Sequence, residues 1–103
     1  MFTMAARSQD VWSGEMVAVD VDGVPVVLVN VGGEVRAFLD RCAHQRFPLS
    51  RGRLDGGIIT CGAHEWQYDA CTGRGLNPRE AALRTVPVEV RDGAIWVDVA
   101  RGG

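Results

Sequence analysis

The sequence has 103 residues, 47% of them hydrophobic and 23% charged, with a formal net charge of −2. That length fits one domain, residues 1–103, with a modest core, and the composition argues against a disordered chain. The slight acidity speaks against nucleic acid or an anionic membrane as partner, and no apolar run reaches the roughly 18 residues that span a bilayer.

Met1 to Asp10 lack the apolar stretch of a signal peptide, so a cytoplasmic location is expected. Glu15 to Asp20 and the Val-rich run Val24 to Val31 flank Asp22-Gly23, a strong hairpin signal. Gly32-Gly33 then leads into a short strand, Glu34 to Leu39. Near the other end, Val86 to Arg91 and Ala94 to Val99 flank a second hairpin signal, Asp92-Gly93. No segment holds a helical period over ten residues, although Arg79 to Leu83 has the length of one turn. The expected fold class is all-β, with short antiparallel strands and tight turns.

The middle of the chain differs. Asp40 to Asn77 holds six glycines, all three cysteines and both histidines. Only one strand is clear there, Gly57 to Thr60, running into Cys61. The expected organisation is a β base formed by the two chain ends, with a two-loop ligand-binding subdomain inserted at about residues 40–77.

The chemistry concentrates in two motifs, Cys42-Ala43-His44 and Cys61-Gly62-Ala63-His64, separated by Gln45 to Thr60. An odd number of cysteines in a reducing compartment points to ligation rather than a disulfide framework. Two Cys and two His set as C-x-H and C-x-x-H on two loops is the pattern in which His replaces Cys on one iron of a [2Fe–2S] cluster. Soft, anionic thiolates suit an inner iron shielded from water. Neutral imidazoles suit an outer iron because they lower the net negative charge and raise the potential. A structural zinc site could use the same four ligands, but zinc fingers keep Cys with Cys and space their histidines three to five residues apart. Buried cysteines and satisfied core histidines are the remaining alternative, which needs both pairings to be accidental.

With these motifs in hand, the chain is identified as similar to the Rieske-type [2Fe–2S] ferredoxins along almost its whole length. Within them it most resembles the ferredoxin components of toluene-type multicomponent diiron monooxygenases. The segments that carry this are Asp10-Val-Trp-Ser-Gly-Glu-Met16, Cys42-Ala-His-Gln45, Gly56-Gly-Ile-Ile-Thr-Cys61, Thr72-Gly-Arg-Gly-Leu-Asn-Pro78 and Val86-Pro-Val-Glu-Val90. The resemblance implies a Rieske fold and one [2Fe–2S] cluster held by Cys42, His44, Cys61 and His64. It also implies a carrier role rather than an enzyme, with one electron moving from an NADH-dependent flavin and iron–sulfur reductase to a diiron hydroxylase. That hydroxylase would oxidise an aromatic or alkene hydrocarbon with O₂, and a monomer making transient complexes would serve both partners. The alternative it leaves open is the ferredoxin of a ring-hydroxylating Rieske dioxygenase; a small nitrite-reductase subunit fits less well, since all four ligands are intact.

Departures from other branches are informative. Where the respiratory-chain branch places an extra Cys in each loop, this chain has Phe47 and Ala63, so that bridge cannot form. His64-Glu65-Trp66 stands in place of a sequence whose Ser hydroxyl bonds a cluster sulfur. Loss of that donor, and any inward charge from Glu65, points to the low end of the Rieske range, about −150 mV.

Gln45, Arg46, Glu65 and Trp66 are candidate partner contacts, and Trp66 is equally suited to core packing. The Tyr68 hydroxyl is a candidate neighbour of a cysteine sulfur. Cys71 reads as a small buried filler rather than a further ligand. Arg41, Arg46, Arg51 and Arg53 follow one another without an intervening acid, as a solvated loop face or a basic collar for acidic surfaces.

Overall fold

A computed structural model of the chain describes residues 1–42, 47–62 and 65–101. The architecture is all-β, in three antiparallel sheets. β1 (Thr3–Arg7), β11 (Ala94–Val97) and β10 (Val88–Arg91) form the first, in the order β1-β11-β10. β2 (Met16–Val21), β3 (Val24–Val31), β4 (Glu34–Leu39) and β9 (Thr85–Val86) form the second, in the order β2-β3-β4-β9. The third, β5-β6-β7-β8, consists of Arg53–Asp55, Ile58–Thr60, Gln67–Asp69 and Gly75–Asn77, within the segment read as an insertion. Among the described residues the helical elements are three-residue 3₁₀ turns, and no helix is long and apolar enough to cross a membrane.

Turn chemistry sets the hairpins. Asp22-Gly23 has φ of 51° and 79°, and Asp92-Gly93 has 53° and 74°. Two-residue turns with both central residues at positive φ match the twist of the strands they join, which is why Asp-Gly is favoured. They close the pairs Val21–Val24 and Arg91–Ala94. Gly32-Gly33 and Gly56-Gly57 do the same for β3–β4 and β5–β6.

The Val-rich β3 is the central wall. Its lack of apolar–polar alternation is the signature of a strand buried on both faces. Val26 and Leu28 point into a core shared with Val11, Ala37, Val86, Ile95 and Val97, between the first two sheets. Val27 and Val29 point the other way, into a core with Phe38, Leu49, Ile59, Tyr68, Cys42 and Cys61. Asn30, the one polar interruption, is 8% exposed and occupied on both sides of its amide. Its Nδ2 donates to the Val11 carbonyl at 2.9 Å, and its Oδ1 accepts the Gly33 N–H at 2.9 Å. Asn30 thereby ties the Asp10–Met16 segment to the β3–β4 turn.

The structure corrects several expectations. Val86 to Arg91 is not one strand: Val86 pairs with Ala37 in the second sheet and Val88 with Val97 in the first. Pro87 lies at the crossing, where a residue without an N–H costs no ladder bond. Arg79 to Leu83 does not form a helical turn. Ala81 N–H donates to the Pro78 carbonyl in one tight turn. Residues 81–83 then bond back to residues 73–75, with Gly75 N–H donating to the Ala81 carbonyl and Leu83 N–H to the Gly73 carbonyl. β1 carries little β-propensity and is held by pairing with β11 across a bulge at Ala5. The three-residue strands β5, β7 and β8 are too short to display an alternation.

Candidate metal centre

Cys42 lies three residues past the end of β4, and its side chain is buried at 4% exposure. Arg41 N–H donates to the Leu39 carbonyl and Cys42 N–H to the Phe47 carbonyl at 2.9 Å, closing the chain on itself across residues 42–47. The return limb is fixed from below. Asp40, 7% exposed, accepts the Ser50 N–H on Oδ1 at 2.8 Å and the Ser50 hydroxyl on Oδ2 at 2.7 Å. Two charge-assisted bonds from one residue position both limbs of the first loop.

Cys61 follows β6 directly and is fully buried. Its N–H donates to the Trp66 carbonyl at 2.8 Å, and its carbonyl accepts the Glu65 N–H at 3.0 Å. Glu65 sits at a φ of 56°, a left-handed conformation that reverses the chain into β7. The second loop is thus closed by two backbone bonds at the cysteine, one donated to Trp66 and one accepted from Glu65.

The two loops touch. A Cβ on Gly52 would fall 2.0 Å from the Thr60 carbonyl oxygen, so only glycine lets the first loop lie this close to the residue before Cys61. A Cβ on Gly62 would fall 3.3 Å from Phe47 Cε1. The Phe47 ring therefore packs across from one loop to the other. Leu49 anchors the same loop with a fully buried side chain.

Cys42 and Cys61 belong to one buried cluster although 19 positions separate them. Tyr68 on β7 is fully buried beneath them, with its hydroxyl 3.2 Å from Cys42 Sγ. This is the sulfur neighbour expected of Tyr68. Apolar walls, burial and a hydroxyl donor suit a pair of metal-bound thiolates, which need shielding from water and hydrogen bonds to sulfur. The residues present fit a cluster with cysteine ligands on one side. His44 and His64, with Gln45, Arg46 and Ala63, lie outside the described residues.

The remaining candidates resolve as follows. Trp66 is half-buried and packs against the cysteine core. The Glu65 carboxylate is exposed and faces Arg53 Nη2 at 3.4 Å, so its charge is directed at an arginine. Cys71 is exposed, which corrects its reading as buried filler. It lies in the turn between β7 and β8, where its N–H donates to Asp69 Oδ1 and its carbonyl accepts Arg36 Nε–H. Among the described residues no group of three Cys, His, Asp or Glu side chains assembles, so none supplies a third ligand beside Cys42 and Cys61. Sequence reasoning missed the contributions of Asp40 and Gly52. The D-x₉-S spacing carried no signal, whereas Gly52 stood among the six glycines that mark residues 40–77.

Fold and site together define a small antiparallel β protein built around a two-loop cysteine site. The chain matches the Rieske [2Fe–2S] domain family over residues 1–87. It is 37% identical over 89 residues to the ferredoxin component of an alkene monooxygenase system from Xanthobacter autotrophicus, covering 85% of this chain and 73% of that protein. It is 31% identical over 97 residues to the ferredoxin component of a naphthalene 1,2-dioxygenase system from Pseudomonas putida, covering 93% of each. Among solved structures, a chain from the complex of reduced oxygenase and oxidised ferredoxin in carbazole 1,9a-dioxygenase superposes with a TM-score of 0.85. The identity there is 31%, over 93% of this chain and 91% of that one. This chain belongs to the Rieske [2Fe–2S] family, and a Rieske-type [2Fe–2S] cluster is its cofactor.

Proposed function

We propose that this protein is a one-electron carrier, the ferredoxin component of an oxygenase system, and not itself an enzyme. Electrons come from an NADH-dependent flavin and iron–sulfur reductase and go to a diiron hydroxylase that oxidises an aromatic or alkene hydrocarbon with O₂. The observation that carries this reading is the meeting of Cys42 and Cys61, from two separate loops, in one buried core that also holds Tyr68. The family match and the relatives named as ferredoxin components support it.

In this reading Cys42 and Cys61 hold one iron and His44 and His64 the other, within a subdomain at about residues 40–77. When bound, the cluster supplies a reversible one-electron couple at a potential above that of all-cysteine clusters. The chain's own part is to keep both thiolates dry, to offer the Tyr68 hydroxyl to one of them, and to hold the two loops in register. Gln45, Arg46, Glu65 and Trp66 are the proposed partner contacts. Oxygen activation takes two electrons, so a monomeric carrier visits twice per product and binds briefly, through a small interface. The NADH-dependent donor of this reading fits a cytoplasmic location.

A relative serving a naphthalene dioxygenase supports the second reading, delivery to a ring-hydroxylating oxygenase. Low-temperature EPR of the dithionite-reduced protein, with iron and zinc assayed together, tests the ligand set. A rhombic signal of one spin per two irons, with an average g below that of all-cysteine clusters, is expected. About one zinc per chain and no signal would refute the carrier. Reconstitution with either oxygenase type then decides between the two acceptors.

A further inference from the structure

The charge around the cysteine site opposes the charge of the whole molecule. The chain carries −2 overall, yet from Asp40 to Asn77 five arginines stand against four acids. Three of these arginines are exposed, and their backbones lie close to the cysteine loops. Arg41 immediately precedes Cys42. The carbonyl of Arg51 lies 3.5 Å from where a Cβ of Gly62 would stand. Arg53 pairs in register with Thr60, the residue before Cys61. The acids nearby do little to cancel them. Asp40 is buried and held by Ser50, and Asp55 lies at the far end of β5, opposite Ile58. Glu65 alone faces the rim, through a pair with Arg53 in which both side chains remain mostly exposed.

We infer that Arg41, Arg51 and Arg53 form a cationic rim that docks an acidic protein surface on the electron acceptor. This rests on the carrier reading above. Local charge steers encounter more strongly than net charge, because charges beyond a Debye length of about 8–10 Å are screened. A carrier with a net negative charge but a positive exit thus selects acidic acceptors.

The test uses the intact holoprotein and two inert oxidants in stopped flow. The reduced protein passes one electron to cobalt(III), giving oxidised protein and cobalt(II), with either the trisoxalatocobaltate(III) trianion or the hexaamminecobalt(III) trication. The rim predicts that lowering the salt speeds the trianion by about tenfold and does not speed the trication. Arg51→Glu combined with Arg53→Glu should reverse this order. Glu65→Gln, which removes the one acid on the rim, should raise the low-salt trianion rate by about twofold. Poly-L-glutamate should slow the trianion reaction and poly-L-lysine should not. A trication accelerated by low salt, or indifference to poly-L-glutamate, overturns the rim. If these occur with a normal rhombic EPR signal, only the rim falls; if the signal itself is absent, the carrier reading falls and the rim with it.

Discussion

Replacing Tyr68 with Phe isolates one atom of the site. The ring is fully buried on β7, so the substitution keeps the packing and removes only the hydroxyl 3.2 Å from Cys42 Sγ. Toward a metal-bound thiolate that hydroxyl is the donor. A hydrogen bond to a charged group is worth about 1.5–3 kcal/mol. The reduced state has one more negative charge and gains more from the donor, so its removal lowers the potential. If about a third to a half of the bond energy is differential, the loss is roughly 1 kcal/mol. With 59 mV per tenfold for one electron, that is a fall of about 40 mV. Redox titration of wild type and Tyr68→Phe, followed by EPR and visible absorption, measures it directly. A potential unchanged within about 10 mV, or raised, would refute the assignment of the hydroxyl as a donor to a cluster ligand.

Three further substitutions probe the loops. Gly52→Ala places a Cβ 2.0 Å from the Thr60 carbonyl oxygen and should destabilise the protein by roughly 2–4 kcal/mol, seen as a lower melting temperature and reduced iron content. Asp40→Ala removes both acceptors of Ser50 and should cost about 2–3 kcal/mol, with faster iron loss to a chelator. Cys71→Ser alters an exposed side chain outside the cysteine core, so iron content and EPR should stay as in wild type and stability within about 0.5 kcal/mol. Loss of iron in that variant would overturn the assignment of Cys42 and Cys61 as the two thiolate ligands.

What the sequence displayed and what it hid follow from how each residue acts. Asp22-Gly23 and Asp92-Gly93 announced their hairpins because a positive φ at both central positions restricts the choice of residue. The Val-rich run of β3 announced a strand, and its lack of alternation fits the burial on both faces that the fold gives it. Paired Cys and His motifs pointed to ligation because few other roles need those types at that spacing, and the fold brings Cys42 and Cys61 into one buried core. Other features depend on distant partners. Pro87 marks a strand that changes sheets only once both sheets exist, and β1 is a strand because β11 awaits it. Tyr68 was expected near a cysteine sulfur, but which one was not legible: it is Cys42, 26 positions away. Cys71 misled because cysteine is most often buried, whereas here the Asp69-led turn directs the side chain to water.

The position of β3 has a consequence for how this molecule comes apart. Its odd-numbered valines Val27 and Val29 lie with the cysteines, and the even-numbered Val26 and Leu28 with the frame core. A one-residue slip in its pairing would exchange the two sets, so neither half can rearrange alone. Opening of the redox end and opening of the frame are therefore one cooperative event. Its amides should be among the slowest in the protein to exchange with solvent deuterium, and cluster loss and global melting should share a single transition.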